Sequence, residues 1–342
     1  MCGIFGSIGS DLSYEKAMKI CNVLKHRGPD DGDVWLSNKN KVCIGQRRLS
    51  IIDLSERARQ PMKSQCGNFI LTYNGEIYNY LLLRKKLQKF GYVFNSTSDT
   101  EVLLAGCLVW GVENTLKKLE GMFTFAFYSI KENSLWLARD PMGIKPLYYS
   151  ILGHKIVFAS ELSPLLSFNW VSKSINKNSL FSYFRYGYIP SPFSIFRNIK
   201  KLNAGNFMFF QEGNYKLCSY WEHDKVVKSK DRFNLKERNF DGCVDLVEKG
   251  LMSSVKSHMQ ADVPYGAFLS GGIDSSIIVA LMQKQSLKKI NTFSIGFKEK
   301  AHDESKYANI VANHIGTNHN EIIINHNDVI NALMDSSKYF DE

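Results

Sequence analysis

Met1-Cys2-Gly3-Ile4-Phe5-Gly6-Ser7-Ile8-Gly9 is the stretch on which the reading of this 342-residue chain turns. If Met1 is removed, Cys2 carries both a thiol and a free α-amine, so one residue holds a nucleophile and a base. An amine of pKa about 7.7–8.0 beside a thiol of about 8.5 can take the thiol proton near neutral pH, directly or through a water. No separate catalytic histidine is then required. Gly3 to Gly9 is short, apolar and glycine-rich, and reads as a buried strand whose glycines admit close approach of backbone or ligand. Taken alone, Cys2 is equally an ordinary small residue at the start of that strand, since free cysteine is usually a buried small hydrophobe. The motifs farther along the chain decide between the two.

The length suits two domains, and 44% hydrophobic content suits globular cores. The longest apolar runs, 121–130 and 277–282, fall well short of the roughly 20 residues that span a bilayer. The opening residues lack a basic leader and meet Asp11 early, unlike a signal peptide, so a cytoplasmic protein with no membrane partner is expected. Seven cysteines at Cys2, Cys21, Cys43, Cys66, Cys107, Cys218 and Cys243 are odd in number and show no CxxC spacing. That argues against a disulfide framework or zinc site, and no resident metal is expected. The net charge of +10 is spread thinly, with no stacking-aromatic module or recognition motif. Nucleic acid is therefore not an expected partner, and anionic substrates are the expected beneficiaries of the charge.

Working outward from the first strand, residues 13–25 carry a helical period through Ala17, Ile20, Cys21 and Leu24. His26-Arg27-Gly28-Pro29-Asp30-Asp31-Gly32 reads as a turn cluster ahead of a strand at 34–36. A strand over 41–47 delivers Arg47-Arg48-Leu49-Ser50-Ile51-Ile52-Asp53, where a guanidinium either forks onto a substrate carboxylate or is a surface charge. Phe69 to Tyr73 is a strand ending in Asn74-Gly75-Glu76, a tripeptide suited to donating to an oxyanion and equally to forming a turn. Ser98-Asp99-Thr100-Glu101 has the form of a capping box before an apolar helix. Asp99 is left free in the first turn, to bind a substrate ammonium or merely to favour the helix dipole. Short strands at 123–130, 134–138, 147–150 and 155–159 predict an antiparallel sheet, with Arg139-Asp140-Pro141-Met142-Gly143-Ile144-Lys145 bridging two of them. An aromatic-rich stretch closes a first domain over 1–222, and the polar, basic segment 223–239 reads as a linker.

The second unit, 240–342, opens with a helix over 240–259 and a buried strand over 263–269. The strand runs into Ser270-Gly271-Gly272-Ile273-Asp274-Ser275-Ser276 and a further helix. Strand, small-residue loop and helix N-terminus together form an anion cradle, without the Gly-Lys-Ser/Thr of the Walker loop, so it should hold a pyrophosphate without the usual lysine. Strand 291–297, helix 303–316, strand 320–324 and helix 327–339 continue an alternation that implies a parallel, doubly wound α/β sheet with nucleotide at the strand carboxyl ends.

Both clusters together resemble the glutamine-hydrolysing asparagine synthetase family. The motifs that carry the resemblance are MCGIFG, HRGPDD, RRLSIID, NGEIYN, SDTE, RDPMGIKPLYY, VPYGAFLSGGIDSS and FSIGF, in this order. The front two thirds resemble its class II glutamine amidotransferase domain, which implies an N-terminal-nucleophile αββα sandwich. The tail resembles the beginning of its PP-loop, adenine nucleotide alpha-hydrolase-like synthetase domain. The resemblance implies that Cys2 attacks the glutamine carboxamide to give a thioester and ammonia. It further implies that Arg48 grips the α-carboxylate with Leu49, Ser50, Ile51 and Ile52 lining the pocket, and that Asn74 and Gly75 donate to the oxyanion. Glu76 and Asp99 would meet the α-amino end. Leu269, Ser270, Gly271, Gly272, Asp274, Ser275 and Ile295 would form the ATP site, where ATP with Mg2+ adenylates aspartate. Ammonia would pass between the sites in a sealed passage, and Lys145 would belong to a contact between domains.

Family members continue past this point with a further acidic Ser-Gly-(Glu/Asp)-Gly motif, whereas this chain stops at Tyr339-Phe340-Asp341-Glu342. A sheet of three strands leaves an unpaired edge, which predicts a truncated or split product. Its glutaminase parts would be complete and its synthetase parts incomplete, as a homodimer or paired with a missing C-terminal half. Two other readings remain: amidation of another carboxylate, such as a surface-polysaccharide sugar acid, and a non-catalytic glutamine- or nucleotide-binding subunit.

Overall fold

The computed structural model describes residues 1–228, 239–298, 303–336 and 339–342. The chain forms two compact units, one of residues 1–228 together with 341–342, the other of 229–340. The segment expected to be a linker, 223–239, begins with a short helix, and 229–238 lies outside the described residues.

In the first unit the order is β1 (Gly3–Ile8), α1 (Tyr14–Val23), β2 (Asp31–Ser37), β3 (Val42–Arg48), β4 (Met62–Lys63), β5 (Phe69–Ile77), α2 (Tyr80–Lys89), α3 (Asp99–Val109) and α4 (Val112–Leu116). There follow β6 (Gly121–Ser129), β7 (Ser134–Arg139), β8 (Tyr148–Leu152), β9 (Lys155–Ala159), α5 (Leu162–Leu166), α6 (Lys177–Tyr186), β10 (Lys200–Lys201), β11 (Asn206–Gln211), β12 (Asn214–Ser219) and α7 (His223–Lys228). Two six-stranded sheets result, ordered β10-β8-β9-β1-β3-β2 and β12-β11-β7-β6-β5-β4. The pairs within them are antiparallel.

Period-two alternation decides which way each strand faces. On β1, Ile4 and Ile8 join Ile44, Ile70, Ala126 and Tyr128 in the core between the sheets, while Phe5 points the other way to pack on Ala17, Cys21 and Leu24 of the first helical region. On β5, Ile70 faces the same inter-sheet core, and Leu71 and Tyr73 face Leu103, Leu104 and Leu87 on the helices beyond. Each sheet is thus covered by helix on one side and by the other sheet on the other. This is the αββα sandwich expected, and central strands such as β1, β3 and β6 are buried on both faces.

Three local expectations change. Asn74-Gly75-Glu76 does not end its strand; it lies inside β5, paired with Thr124, Phe123 and Met122 of β6. Gly75 is there because a Cβ would sit 2.2 Å from the Met122 carbonyl oxygen, so its reason is close strand approach rather than a turn. The strand at 134–139 and the strand at 148–152 belong to different sheets, so the 140–147 connection crosses the sandwich instead of joining neighbours.

That crossing is built on Arg139 and Asp140. Asp140 is fully buried, and its carboxylate accepts from the backbone N–H groups of Phe123 (3.2 Å), Met142, Ile144 and Lys145 (each 3.0 Å). Arg139 donates to the carbonyls of Lys145 (2.8 Å), Gly143 (2.7 Å) and Leu202 (2.7 Å). Removing the Asp140 carboxylate strands four N–H groups, so Asp140→Ala should lower unfolding stability by roughly 3–5 kcal/mol in a urea titration. A loss below about 1 kcal/mol would show that water replaces the carboxylate.

The second unit runs α8 (Phe240–His258), β13 (Gly266–Phe268), α9 (Ile273–Gln285), β14 (Asn291–Phe297), α10 (Ser305–Ile315), β15 (Asn318–Ile324) and α11 (His326–Asp335). Its sheet is parallel, ordered β13-β14-β15, as the alternation predicts. Strand 263–269 is shorter than expected and not buried, with Phe268 81% exposed. Two small cores hold this unit. Val255, Leu281, Met282 and Ile290 form one, and Leu269, Val279, Ala308 and Ala312 the other. Among the described residues no helix is long and apolar enough to cross a membrane.

Candidate active site

Cys2 immediately precedes β1, at the end of the sandwich where β3 and β5 deliver Arg48 and Asn74. A cavity of about 150 Å³ opens there, lined by Cys2, Arg48, Leu49, Ile51, Ile52, Asn74, Gly75, Glu76 and Asp99. Residues singled out in the sequence, scattered from position 2 to position 99, therefore converge on one small space. Ser50 does not line it; its N–H donates to the Asp30 carboxylate at 2.8 Å.

The thiol is held by backbone. Leu49 N–H donates to Cys2 Sγ at 3.4 Å, and Sγ–H points to the Leu49 carbonyl at 3.6 Å. Burial pushes the Cys2 thiol up; the Leu49 N–H, the Met1 ammonium and Arg48 pull it back, while Asp99 adds to the rise. A resting thiol rather than a thiolate is the consequence, so an adjacent base is needed to make it a nucleophile. The α-amine of Met1 is pushed down, first by burial and further by Lys145 and Arg27, against Cys2 and Asp30, which raise it.

Asn74 is 1% exposed, and its amide Nδ2 has no hydrogen-bond partner among the described residues. A buried donor without an acceptor is costly, by about 1–3 kcal/mol, and in a cavity beside the Cys2 thiol it is available to an anionic oxygen. Gly75, beside it, lines the same cavity. Arg48 is also buried, but its Nη2 donates to the Ile52 carbonyl at 3.1 Å and to that of Asp53, which ties down the 49–53 loop that lines the cavity. Arg47 is structural, donating to the Gly28 carbonyl at 2.8 Å and the Pro29 carbonyl at 3.2 Å.

The capping box expected at Ser98 is not formed. Ser98 does cap the helix, accepting from Thr100 N–H at 3.1 Å. Glu101 instead accepts from the N–H groups of Asn95 and Ser96 and the Ser96 hydroxyl, which fixes the loop before the helix. Asp99 is not free either. It accepts from Tyr73 Oη at 2.9 Å and Ile77 N–H at 3.1 Å. Burial pushes its carboxyl up, and the Ile77, Tyr73, Thr100 and Ser98 donors oppose the rise.

Sequence reasoning passed over three groups here. Lys145, expected in a contact between domains, lines this cavity. Gln60 lines it too, accepting from Tyr73 N–H at 2.8 Å and donating to Thr100 Oγ1 at 3.0 Å. Arg27 donates to the Cys2 carbonyl at 3.0 Å and to Glu161 at 2.9 Å, so the first motif and the HRGPDD turn are one assembly. Nothing in local pattern marks such contacts, because each joins residues far apart in sequence.

In the second unit, Leu269 is buried at the end of β13, and Gly272 caps the thirteen-residue helix α9. Gly271 has φ +83°, and a Cβ there would sit 2.6 Å from Tyr307 Cβ, so the loop requires glycine on both counts. In front of Gly272 a Cβ would meet only the Ser270 hydroxyl at 3.4 Å, leaving open space at a helix N-terminus. Ser270 Oγ and Ser275 Oγ lie 3.0 Å apart, and Asp274 stands exposed in the first turn. Ile295, on the neighbouring β14, is 52% exposed. This loop fits a polyphosphate: glycine backbone, hydroxyls and the helix's own unpaired N–H groups converge without a bulky side chain. No group of three His, Cys, Asp or Glu able to hold a metal ion occurs among the described residues.

Comparison with known proteins gives matches in both parts of the chain. A family model described as a glutamine amidotransferase domain matches residues 1–221, and one described as asparagine synthase matches 246–342. A putative asparagine synthetase [glutamine-hydrolyzing] 2 of Methanocaldococcus jannaschii is 36% identical, over 100% of this chain and 68% of its own length. Asparagine synthetase [glutamine-hydrolyzing] 1 of Bacillus subtilis is 35% identical, over 100% of this chain and 53% of its own. The chain thus spans roughly half to two thirds of those relatives. A solved structure described as the allosteric regulatory enzyme of purine biosynthesis shares the fold with a TM-score of 0.50 at 16% identity, covering 94% of this chain and 80% of that one. Matches at this identity over the whole of this chain, across both units, show that it belongs to the glutamine-hydrolysing asparagine synthetase family.

Proposed function

We propose that the chain acts in glutamine-dependent asparagine synthesis, its first unit releasing ammonia from glutamine at Cys2. The observation that carries this reading is the Asn74 amide, without a hydrogen-bond partner among the described residues, in the cavity that holds the Cys2 thiol. In the step proposed, the thiol proton passes to the α-amine of Cys2 once Met1 is gone, and sulfur bonds to the carboxamide carbon. The oxygen, now negative, receives Asn74 Nδ2–H and the Gly75 N–H. The α-ammonium returns its proton to the leaving nitrogen, the carbon–nitrogen bond breaks, and ammonia departs from a thioester that water then hydrolyses to glutamate. Arg48 would hold the substrate carboxylate, with Glu76 and Asp99 at its ammonium.

The second unit would hold ATP, with Mg2+ carried on its phosphates, at Ser270, Gly271, Gly272, Asp274 and Ser275 beside Leu269 and Ile295. Bound ATP supplies an adenylyl group that turns an aspartate carboxylate into an electrophile for ammonia. Ile322 and Ile323 are adjacent on β15, so they point to opposite faces, and both are more than half exposed. An edge of that kind favours a covering polypeptide, so pairing with a further synthetase segment belongs to the same reading.

Measuring glutamate release and aspartate-dependent AMP formation separately tests both halves. Glutamate release that needs Cys2 is the expected result. AMP formation driven by a sugar acid rather than aspartate would replace the acceptor, and release of neither product would return the chain to a binding role.

A further inference from the structure

Burying a phenolic hydroxyl costs free energy unless it finds a partner, and the helix-facing side of β5 buries one at Tyr73. Tyr73 is 2% exposed, whereas Phe123, Phe125, Phe127 and Phe207, buried in the same cluster, have no hydroxyl to satisfy. A phenylalanine would fill this place in the core as well. The Tyr73 hydroxyl instead donates to Asp99 Oδ2 at 2.9 Å, and both residues line the cavity that holds Cys2.

The backbone of Tyr73 is fixed just as firmly. β4 pairs with β5 only at Ile70 and Leu71, so among the described residues the edge of β5 beyond them has no partner strand on that side. Two glutamine side chains take its place at Tyr73. Gln60 Oε1 accepts the N–H at 2.8 Å, and Gln46 Nε2, reaching from β3 in the facing sheet, donates to the carbonyl at 2.8 Å. Gln60 also donates at 3.0 Å to Thr100 Oγ1, on the residue next to Asp99, so strand and helix are held together around the carboxylate. At Asp99 the Tyr73 hydroxyl and the Ile77 N–H both fall on Oδ2, whereas Oδ1 meets Ser98 Oγ at the long distance of 3.5 Å.

We propose that Tyr73 is a positioning residue that sets substrate selectivity: its hydroxyl anchors Asp99 through Oδ2, so that Oδ1 is presented to the α-ammonium of the substrate. This rests on the reading of Asp99 as a partner of that ammonium. A carboxylate already oriented gives up little rotamer freedom when the cation arrives, so it binds more tightly than a mobile one. The site then favours an amide that carries an α-amine over one that shares only the carboxylate and carboxamide. Because the ammonium lies away from the bond being cleaved, the contact is made equally in the ground and transition states. Weakening it raises KM and leaves kcat in place.

Tyr73→Phe removes the hydroxyl and keeps the ring. KM for glutamine should rise about five- to tenfold, as expected for one lost hydrogen bond to a charged group that Ile77 still partly holds, with kcat within about twofold. For glutaramate, which is glutamine without its α-amine, kcat/KM should not change, so the preference for glutamine shrinks by the same factor. A tyrosine that served only the core would weaken both substrates alike.

The test is ammonia release from the two amides by wild type, Tyr73→Phe, Asp99→Asn and the double variant, with thermal midpoints. In the Asp99→Asn background there is no carboxylate left to orient, and Tyr73→Phe should alter the preference no further. An unchanged preference in Tyr73→Phe, or an equal loss for both amides, overturns the inference. So does a full additional effect in the Asp99→Asn background. If Asp99→Asn itself keeps the wild-type preference, the reading of Asp99 fails and takes the inference with it. If the wild-type chain cleaves neither amide, the proposed function fails first. Should Tyr73→Phe not fold, para-fluorophenylalanine at position 73, which fills the space of the hydroxyl without donating, is read in the same way.

Discussion

Cys2→Ala is expected to lower glutamine-dependent glutamate release by at least about 10³-fold, because no other group lining the cavity can form the thioester. Cys107 and Cys43 are buried in the core, with thiols that burial pushes far above the ordinary range, Cys43 to about 12, so neither can substitute. The thermal midpoint should stay within a few degrees, since the Cys2 side chain makes only weak sulfur contacts with Leu49. A loss of activity accompanied by unfolding would assign Cys2 a structural part, and retained turnover would remove it from the chemistry. If the second unit is competent, synthesis supplied with ammonia should survive the substitution.

Asn74→Ala is the second large effect. Losing one preorganised oxyanion donor lowers kcat by about 10²–10³-fold, or roughly 2.7–4 kcal/mol of transition-state stabilisation, with little change in KM. The same substitution should be almost neutral for folding. Asn74 Nδ2 makes no hydrogen bond among the described residues, so its removal relieves an unsatisfied donor at the expense of a small cavity. Steady-state kinetics beside a denaturation curve separates the two readouts. A kcat within about threefold of wild type would mean that Asn74 does not meet the developing charge.

Most of the elements could be read from the sequence because their causes are local. The period-two faces of β1 and β5 sort Ile4 from Phe5 and Ile70 from Leu71, and the break at Gly271–Gly272 between strand and helix is where a left-handed backbone demands glycine. The αββα architecture and the roles proposed for Arg48, Asn74 and Asp99 came through resemblance, since eight short motifs in one order are specific where each alone is not.

Errors came where one local signal had two physical outlets. Asn-Gly suits a turn, yet in 74–75 it lies within a strand, because the neighbouring strand crowds Gly75. Ser98-x-x-Glu101 suits a capping box, yet Glu101 found three donors in the preceding loop, which served its buried carboxylate better than one.

By itself the sequence determined the unusual placement of a thiol at the second position, the strand it leads into, and a glycine-rich strand-to-helix loop near residue 270, for these depend on residue type and spacing alone. Only the tertiary structure decided that Asp99 is held by Tyr73 and Ile77, that Arg27 grips the Cys2 carbonyl, and that Lys145 lines the same cavity as Cys2. Each of these joins segments twenty or more residues apart. Burial and charge act through space, and only folding brings such groups close enough to shift one another's protons.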